Sequence, residues 1–597
     1  MVKLNKMKNS LFFTALFISV LSIIGCNKES KILSPGPATT YQSDIFGLVL
    51  DENKAPVENA TVTYGSLVQK TDKNGIYSFH KVDIDSRHSS LIITKDGYFN
   101  GVTTFSAAKN STTAHQRTIL LKKDFTYSFQ SSDGGKLNTV DKVELDFPAA
   151  SIIVESTGAD YSGTVHAAIK YIDPTGDNLL FEMPGNLSAI NNNQATQILT
   201  TYGMVAVELK SDNGEKLNVK QGKWVDMSVD IPTSLISGAP SAIPLWHFDE
   251  GSGYWKEEGS AILVNGKYTG KVNHFSYWNY DTQRASVQVT GKVVDQNGNP
   301  VAGAYIRFNV PGDYTGGQGE TDDDGTYSGP VAKDEVLNVT VSSYNSGCSF
   351  TPLYNGQAGP FSNDATIPDI VVTIAATDQL AITGNFTDCN SNPVADGYIK
   401  IYNDAYNWYV FPIKNGQVNV STSVCNNAGS YNLVAVDKVG LKESNPVPLT
   451  IPGGNNLGTV NICAANADFF TVVNPNIGIN VTLTGSRLGV FIHDIDLKYV
   501  QCFDNAAQFS FYYNDGNTNL GFNTGTFNIS GGTIFIQDGN GQTRSYMVLH
   551  GSDNGTTTIT HAGKPDKKVI GTYALFAIDT GTGNIETFTG SFQLTNR

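Results

Sequence analysis

From residue 44 to the end of this chain, apolar and polar residues alternate in short runs separated by Gly, Asn, Asp and Pro. Runs such as IFGLVLD, ATVTY, VTGKVVD, AYIRFNV, ITGNFTD and GYIKIYN place every second side chain on one face, as half-buried strands require. No helix-period stretch is extensive enough to build an α/β domain. Three segments share one register. Gly47 is followed nine residues later by Pro56 and thirteen later by Ala60, and Gly291, Pro300, Ala304 and Gly384, Pro393, Gly397 repeat both offsets. Asp51, Asp295 and Cys389 stand between. A second hairpin follows each time, at Thr71-Asp72-Lys73-Asn74-Gly75, at Thr321-Asp322-Asp323-Asp324-Gly325 and at Lys414-Asn415-Gly416, where the Gly supplies the positive φ of a tight turn. The pattern predicts an all-β chain of tandem antiparallel β-sandwich modules.

The first two repeats, 44–123 and 284–376, resemble the carboxypeptidase regulatory-like domain, a seven-stranded sandwich of the transthyretin type. The first also carries Lys95-Asp96-Gly97-Tyr98, usual in that family. The third, 377–465, is similar but divergent, lacking the Thr-Asp pair before its hairpin Gly. The resemblance implies structural or interaction modules with no chemistry of their own. Between the first and second repeats, residues 124–283 carry VELDFPAASI, TYGMVAVEL and IPLWHFDEGSGYW and end in Val272-Asn273-His274-Phe275-Ser276-Tyr277-Trp278. This region resembles the sandwich domain shared by zonula occludens, netrin receptors and ankyrins, and the ectodomains of cartilage intermediate layer protein relatives. Binding to protein or matrix is what that implies. Residues 466–597 keep the alternation without the repeat and predict an independent antiparallel sandwich or small barrel.

The amino terminus has a different character. Lys3, Lys6 and Lys8 precede an apolar run from Leu11 to Ile24, too short for the roughly 20 residues of a spanning helix, so residues 1–25 are expected to be a cleaved signal peptide. Ile23-Ile24-Gly25-Cys26 resembles the lipobox of bacterial lipoproteins, which implies that Cys26 becomes the acylated first residue. Asn27 then favours an outer-membrane lipoprotein, facing the periplasm or the cell surface, and Lys28-Glu29 resembles a short export signal. Residues 26–43, rich in Ser, Thr, Pro and Gly, are the expected flexible tether. A net charge of −15 argues against nucleic acid, whose phosphates require a basic face. The expected partners are the membrane, through the lipid, and a protein, matrix or polysaccharide ligand.

Few residues invite chemistry. Domains related to the middle one that end in His-Phe-Ser cleave themselves, so His274, Phe275 and Ser276 are candidates for self-cleavage. In that reaction His274 takes the Ser276 proton and the hydroxyl attacks the Phe275 carbonyl. His247-Phe248-Asp249-Glu250 has the spacing of two metal ligands, but no third ligand or catalytic domain accompanies it, so neither metal nor cofactor is expected. The acidic starts at Asp72 and Asp322 lack the Glu that closes a calcium loop at position twelve, where Asp83 and Lys333 stand instead, and they read as turns. Apart from Cys26 there are five cysteines; Cys389, Cys425 and Cys463 share the third repeat, where one disulfide is expected with its connectivity open. Tyr406, Trp408 and Tyr409, in a cluster with Tyr402, are candidates for stacking on sugars, against the alternative of cross-strand core pairs. His493, Asp494, Asp496, His550 and His561 show no recognisable catalytic spacing. A non-enzymatic binding, adhesion or scaffold lipoprotein is therefore expected, with self-cleavage after Phe275 as the alternative and a glycan-binding or hydrolytic role behind it.

Overall fold

The structure is a computed structural model. It describes residues 39–595 except 110, 141, 344–350, 403–407, 425–430, 441, 452, 464, 467–468, 475–478, 485–488, 495–496, 504–506, 514–524, 538–542, 549–554 and 562–567. Residues 1–38, which include Cys26, the expected signal peptide and most of the expected tether, lie outside the described residues.

The three repeats fold alike. In the first, Thr40–Asp51 lies between Ile76–Asp85, antiparallel to it, and Thr113–Leu120, parallel to it; a second sheet runs Leu67–Lys70, Thr61–Tyr64, Ser89–Thr94, Gly101–Phe105. The second repeat reproduces this with Thr326–Ala332 and the short parallel strands Ala365–Thr366 and Ile370–Val371, and the third with Gln417–Ser423 and Gly453–Asn461 around Gln379–Thr387. The shared spacing has two physical causes. Pro56, Pro300 and Pro393 form equivalent bridges to the ends of the first strands, across a turn in which Asp51, Asp295 or Asp388 accepts two backbone N–H bonds. The third turn corrects the sequence alignment, since Asp388 and not Cys389 occupies the Asp51 position. The Gly that opens each repeat faces a cross-strand partner: Gly47 opposite Tyr77, Gly291 opposite Tyr327 and Gly384 opposite Val418. A Cβ on Gly47 would sit 2.1 Å from the Tyr77 ring, and one on Gly291 would sit 2.3 Å from the Tyr327 hydroxyl. Gly47→Ala is therefore expected to cost about 2 kcal/mol by overpacking. In chemical denaturation, the loss caused by Gly47→Ala should be smaller in a Tyr77→Val background than in wild type, because the clash it makes is with the Tyr77 ring. Gly454→Ala, whose Cβ meets nothing within 4 Å, should stay within about 0.5 kcal/mol of wild type.

In the middle domain, Thr196–Lys210 pairs with Tyr277–Val294, which continues into Ala242–Asp249, Tyr254–Val264, Lys267–Val272 and Val225–Asp230. One face covers the domain's own core of Leu145, Val205, Val207, Met227, Leu245, Trp278 and Tyr280. The other face, with Trp246, Phe248, Trp255 and Tyr277, packs against Phe99 and Val102 of the first module, in a cluster that extends to Val289 and Ile306 of the second. Burial on both faces explains why TYGMVAVEL is almost continuously apolar. Tyr277–Val294 is a single strand: its first half pairs with Thr196–Lys210 and its second half with Thr326–Ala332. The boundary read from sequence at 283/284 thus falls inside a strand and not in a linker.

The first module is held on several sides. Phe46, Leu48, Leu50, Ile76 and Ile119 share one buried cluster with Phe181 of the middle domain, Tyr305 of the second module, and Tyr398, Val410 and Val436 of the third. Polar groups close these seams. Tyr398 donates to Asp72 Oδ2 (2.7 Å) and accepts from Asn74 Nδ2 (2.7 Å), while Ser111 Oγ (2.7 Å) and the His115 amide (3.0 Å) donate to Asp322. His80 lies 3.2 Å from Asp44 and 3.3 Å from Asp396 of the third module. Two of these groups make the seams sensitive to pH. Burial pushes the Asp322 carboxyl up to about 7, and hydrogen bonds to Asp396 and Asp44 raise His80 to about 9. Each folded value is above the unfolded one, so the stabilisation is complete at low pH and lost as pH rises, from about 4 to 7 for Asp322 and from about 6.5 to 9 for His80. The thermal midpoint is expected to fall between pH 6 and 9, with Asp322→Asn flattening the lower part of the curve and His80→Gln the upper.

The last domain, Phe469–Thr595, is an antiparallel sheet in the order Ile479–Thr484, Phe469–Asn474, Ile585–Thr595, Lys568–Asp579, Thr543–Val548, Gly525–Gln537, Ala507–Tyr513, Leu497–Phe503, Gly489–Asp494, with Gly555–His561 pairing both Gly525–Gln537 and Lys568–Asp579. Tyr573, Leu575 and Ala577 are buried while Ala574 and Phe576 are exposed, so one face is covered.

Candidate functional site: the HFS bend and its neighbours

Lys267–Val272 and Tyr277–Val294 are joined by a short bend that contains His274, Phe275 and Ser276. Phe275 is buried in the domain core, 5.5 Å from the Phe147 ring, and its amide donates to Asn218 Oδ1 at 2.9 Å. The Trp278 indole donates to the His274 carbonyl at 3.1 Å, and the Val207 amide donates to the Ser276 carbonyl at 3.2 Å. The backbone of the bend has no positive φ. Ser276 Oγ donates to the Tyr277 carbonyl at 3.2 Å, whereas the His274 imidazole turns to Glu258, with Nε2 3.3 Å from Oε2. Among the described residues no hydrogen bond joins Ser276 to His274, so the proton transfer that begins self-cleavage is not set up in this arrangement.

Glu258 gathers a second histidine. His247 Nδ1 lies 2.9 Å from the same Oε2, and the two imidazole centroids are 4.9 Å apart. Trp278, directly opposite His247 across the strand pair, stands 5.8 Å from the His247 ring and 4.9 Å from that of His274. The cluster is assembled across strands. Pro244 pairs with Ser260 and Trp246 with Glu257, so Glu258 and Gly259 together oppose Leu245 in a bulge, with Gly259 at φ +85°. Burial, followed by the nearby charge of His274, holds the His247 imidazole below its usual value. The sequence reading missed Glu258 because no local spacing links it to either histidine. Glu250, the ligand paired with His247 on spacing, instead accepts from Asn100 of the first module at 2.9 Å.

The other candidates separate. Cys389 is bonded to Cys463, Cα to Cα 5.1 Å, and Cys425 lies outside the described residues. Tyr409 is buried in the core of the third module, as the alternative of cross-strand core packing has it; Tyr406 lies outside the described residues, and Trp408 pairs with Tyr402 in a strand. Asp322 and Asp72 form hairpin turns whose carboxylates are committed to the module seams. His493, Asp494 and His561 fall on strands of the last domain, while Asp496 and His550 lie outside the described residues.

No family model matches the chain. In sequence it is similar to cartilage intermediate layer protein 2 of Mus musculus, 32% identical over 104 residues that cover 17% of this chain and 9% of that protein. It is also similar to cartilage intermediate layer protein 1 of Homo sapiens, 31% identical over 123 residues, 20% of this chain and 10% of that protein. The match thus spans about a tenth of the length of these relatives. Among solved structures, a streptococcal ancillary pilin aligns over 39% of this chain and 96% of its own, at 13% identity and TM-score 0.13. The Bacillus anthracis TIE protein aligns over 72% and 74%, at 8% identity and TM-score 0.14. Overlaps of this size carry no argument about function, and the assignment as tandem β-sandwiches rests on the strand pairing above.

Proposed function

We propose that this chain is a non-enzymatic, lipid-anchored protein of the cell envelope whose first four domains act as one rigid body, displaying binding surfaces for a protein, matrix or polysaccharide. The observation that carries the reading is the buried cluster through which the first module engages the middle domain and both later modules at once. A string of loosely joined modules would keep those apolar faces apart; a body that must hold its surfaces in fixed relation shares them. Anchoring is tested by metabolic labelling with a palmitate analogue and membrane fractionation. Wild type is expected labelled and membrane-bound, with Cys26→Ser unlabelled and released; a Cys26→Ser chain that stays membrane-bound would overturn the lipid anchor.

Self-cleavage is a second reading, favoured by the position of the HFS tripeptide in a bend between two paired strands. Because His274 engages Glu258, the mature chain is expected to run as one intact polypeptide under denaturing conditions. Two fragments meeting between Phe275 and Ser276, abolished by Ser276→Ala, would replace this expectation with the second reading.

A further inference from the structure

We propose that His247, Glu258 and His274 form a binding site for a single divalent transition metal ion, zinc by preference, with an open coordination position toward solvent. One donor atom from each of His247, Glu258 and His274 lies within 4.8 Å of the other two. Both imidazole nitrogens approach one carboxylate oxygen, at 2.9 and 3.3 Å. Ligands about 2.0–2.2 Å from a tetrahedral zinc ion stand some 3.3–3.6 Å apart, so the set needs only small side-chain adjustments to close around one. His247 Nδ1 is buried and lies 2.9 Å from Glu258 Oε2 without a well-angled hydrogen bond to it.

The donor chemistry selects the ion. Two imidazoles and one carboxylate suit zinc and its borderline neighbours, whereas calcium and magnesium favour all-oxygen sets. Three protein ligands leave at least one position for water or an incoming group. The side chains are 23%, 32% and 31% exposed, so that position is reachable from solvent. Bound metal would clip the strand Ala242–Asp249, the bulge at Glu258 and the HFS bend together. It would also occupy the nitrogen of His274 that faces Glu258. An open zinc position on a binding protein would accept a carboxylate or imidazole from a partner.

The test uses the mature chain without an affinity tag, carrying Cys26→Ser and stripped with chelator, titrated with zinc and, as a spectroscopic stand-in, with cobalt(II). One zinc per chain is expected, together with the absorption of a four-coordinate cobalt site. His247→Ala, Glu258→Gln and His274→Ala should each weaken binding more than ~100-fold, beyond the 10–100-fold typical of losing only a supporting outer-shell group. His166→Ala, which removes a half-buried histidine paired with Asp212 outside the cluster, should leave affinity unchanged. Should a variant fail to fold, wild type still decides: zinc must protect His247 and His274 from acylation by diethylpyrocarbonate, read by mass spectrometry. No saturable zinc binding by wild type, retained affinity in the folded variants, or absence of protection at these two histidines would each overturn the proposal.

Discussion

Tyr398→Ala is expected to lower the stability of the first and third modules together by about 4 kcal/mol, the range for removing a fully buried aromatic side chain. Tyr398 is completely buried, its ring 6.2 Å from that of Phe46 across the seam. Truncation opens a cavity in the cluster shared by four domains and removes the hydroxyl that bridges Asp72 Oδ2 and Asn74 Nδ2. Tyr398→Phe isolates the second effect and should cost about 1–3 kcal/mol for leaving those buried groups without a partner. Denaturation followed separately in each module distinguishes a seam from a local packing defect. Loss of protection confined to the third module would mean that the contact with Asp72 contributes nothing to docking.

Removing the disulfide, as Cys389→Ala with Cys463→Ala, is expected to destabilise the third module by about 4 kcal/mol on the chain-entropy account. The bond joins residues 74 apart in sequence, just beyond the paired ends Thr387 and Asn461 of its first and last strands. The folded strands are already in register, so the loss falls mainly on the unfolded chain, which regains the freedom of a long loop. A reductant should reproduce the shift in wild type and have no effect on the double variant. An unchanged midpoint under reduction would show that the bond does not constrain the module.

The repeats were legible in the sequence because their spacing encodes local physics: a Gly facing a cross-strand side chain and a turn closed by an Asp before a Pro. The third repeat differs at this position because Cys389 follows directly on Asp388, the residue whose carboxylate closes the turn. The HFS bend was legible as a terminus of paired strands, but the direction of His274 was not. Its partner Glu258 is sixteen residues away and reaches it only through the bulge at Gly259. Packing between modules was hidden for the same reason. Asp72, Asn74 and Asp322 looked like ordinary turn residues, and nothing near them in sequence marks Tyr398 or Ser111 as partners. Tyr409 stayed open between sugar stacking and a cross-strand core pair because strand alternation assigns it a face without saying which face is covered. Alternation in ASVQVTGKVV runs on without a turn signal, which is why the boundary at 283/284 falls inside the single strand Tyr277–Val294.

The central claim is that the first four domains form one cooperative body, and native-state hydrogen exchange against denaturant on the Cys26→Ser chain tests it most directly. Amides in Ile76–Asp85, Tyr277–Val294, Ala304–Asn309 and Gly397–Tyr402 are predicted to lose protection together, at one denaturant concentration. Separate midpoints for these four segments would contradict it and describe a string of independent modules.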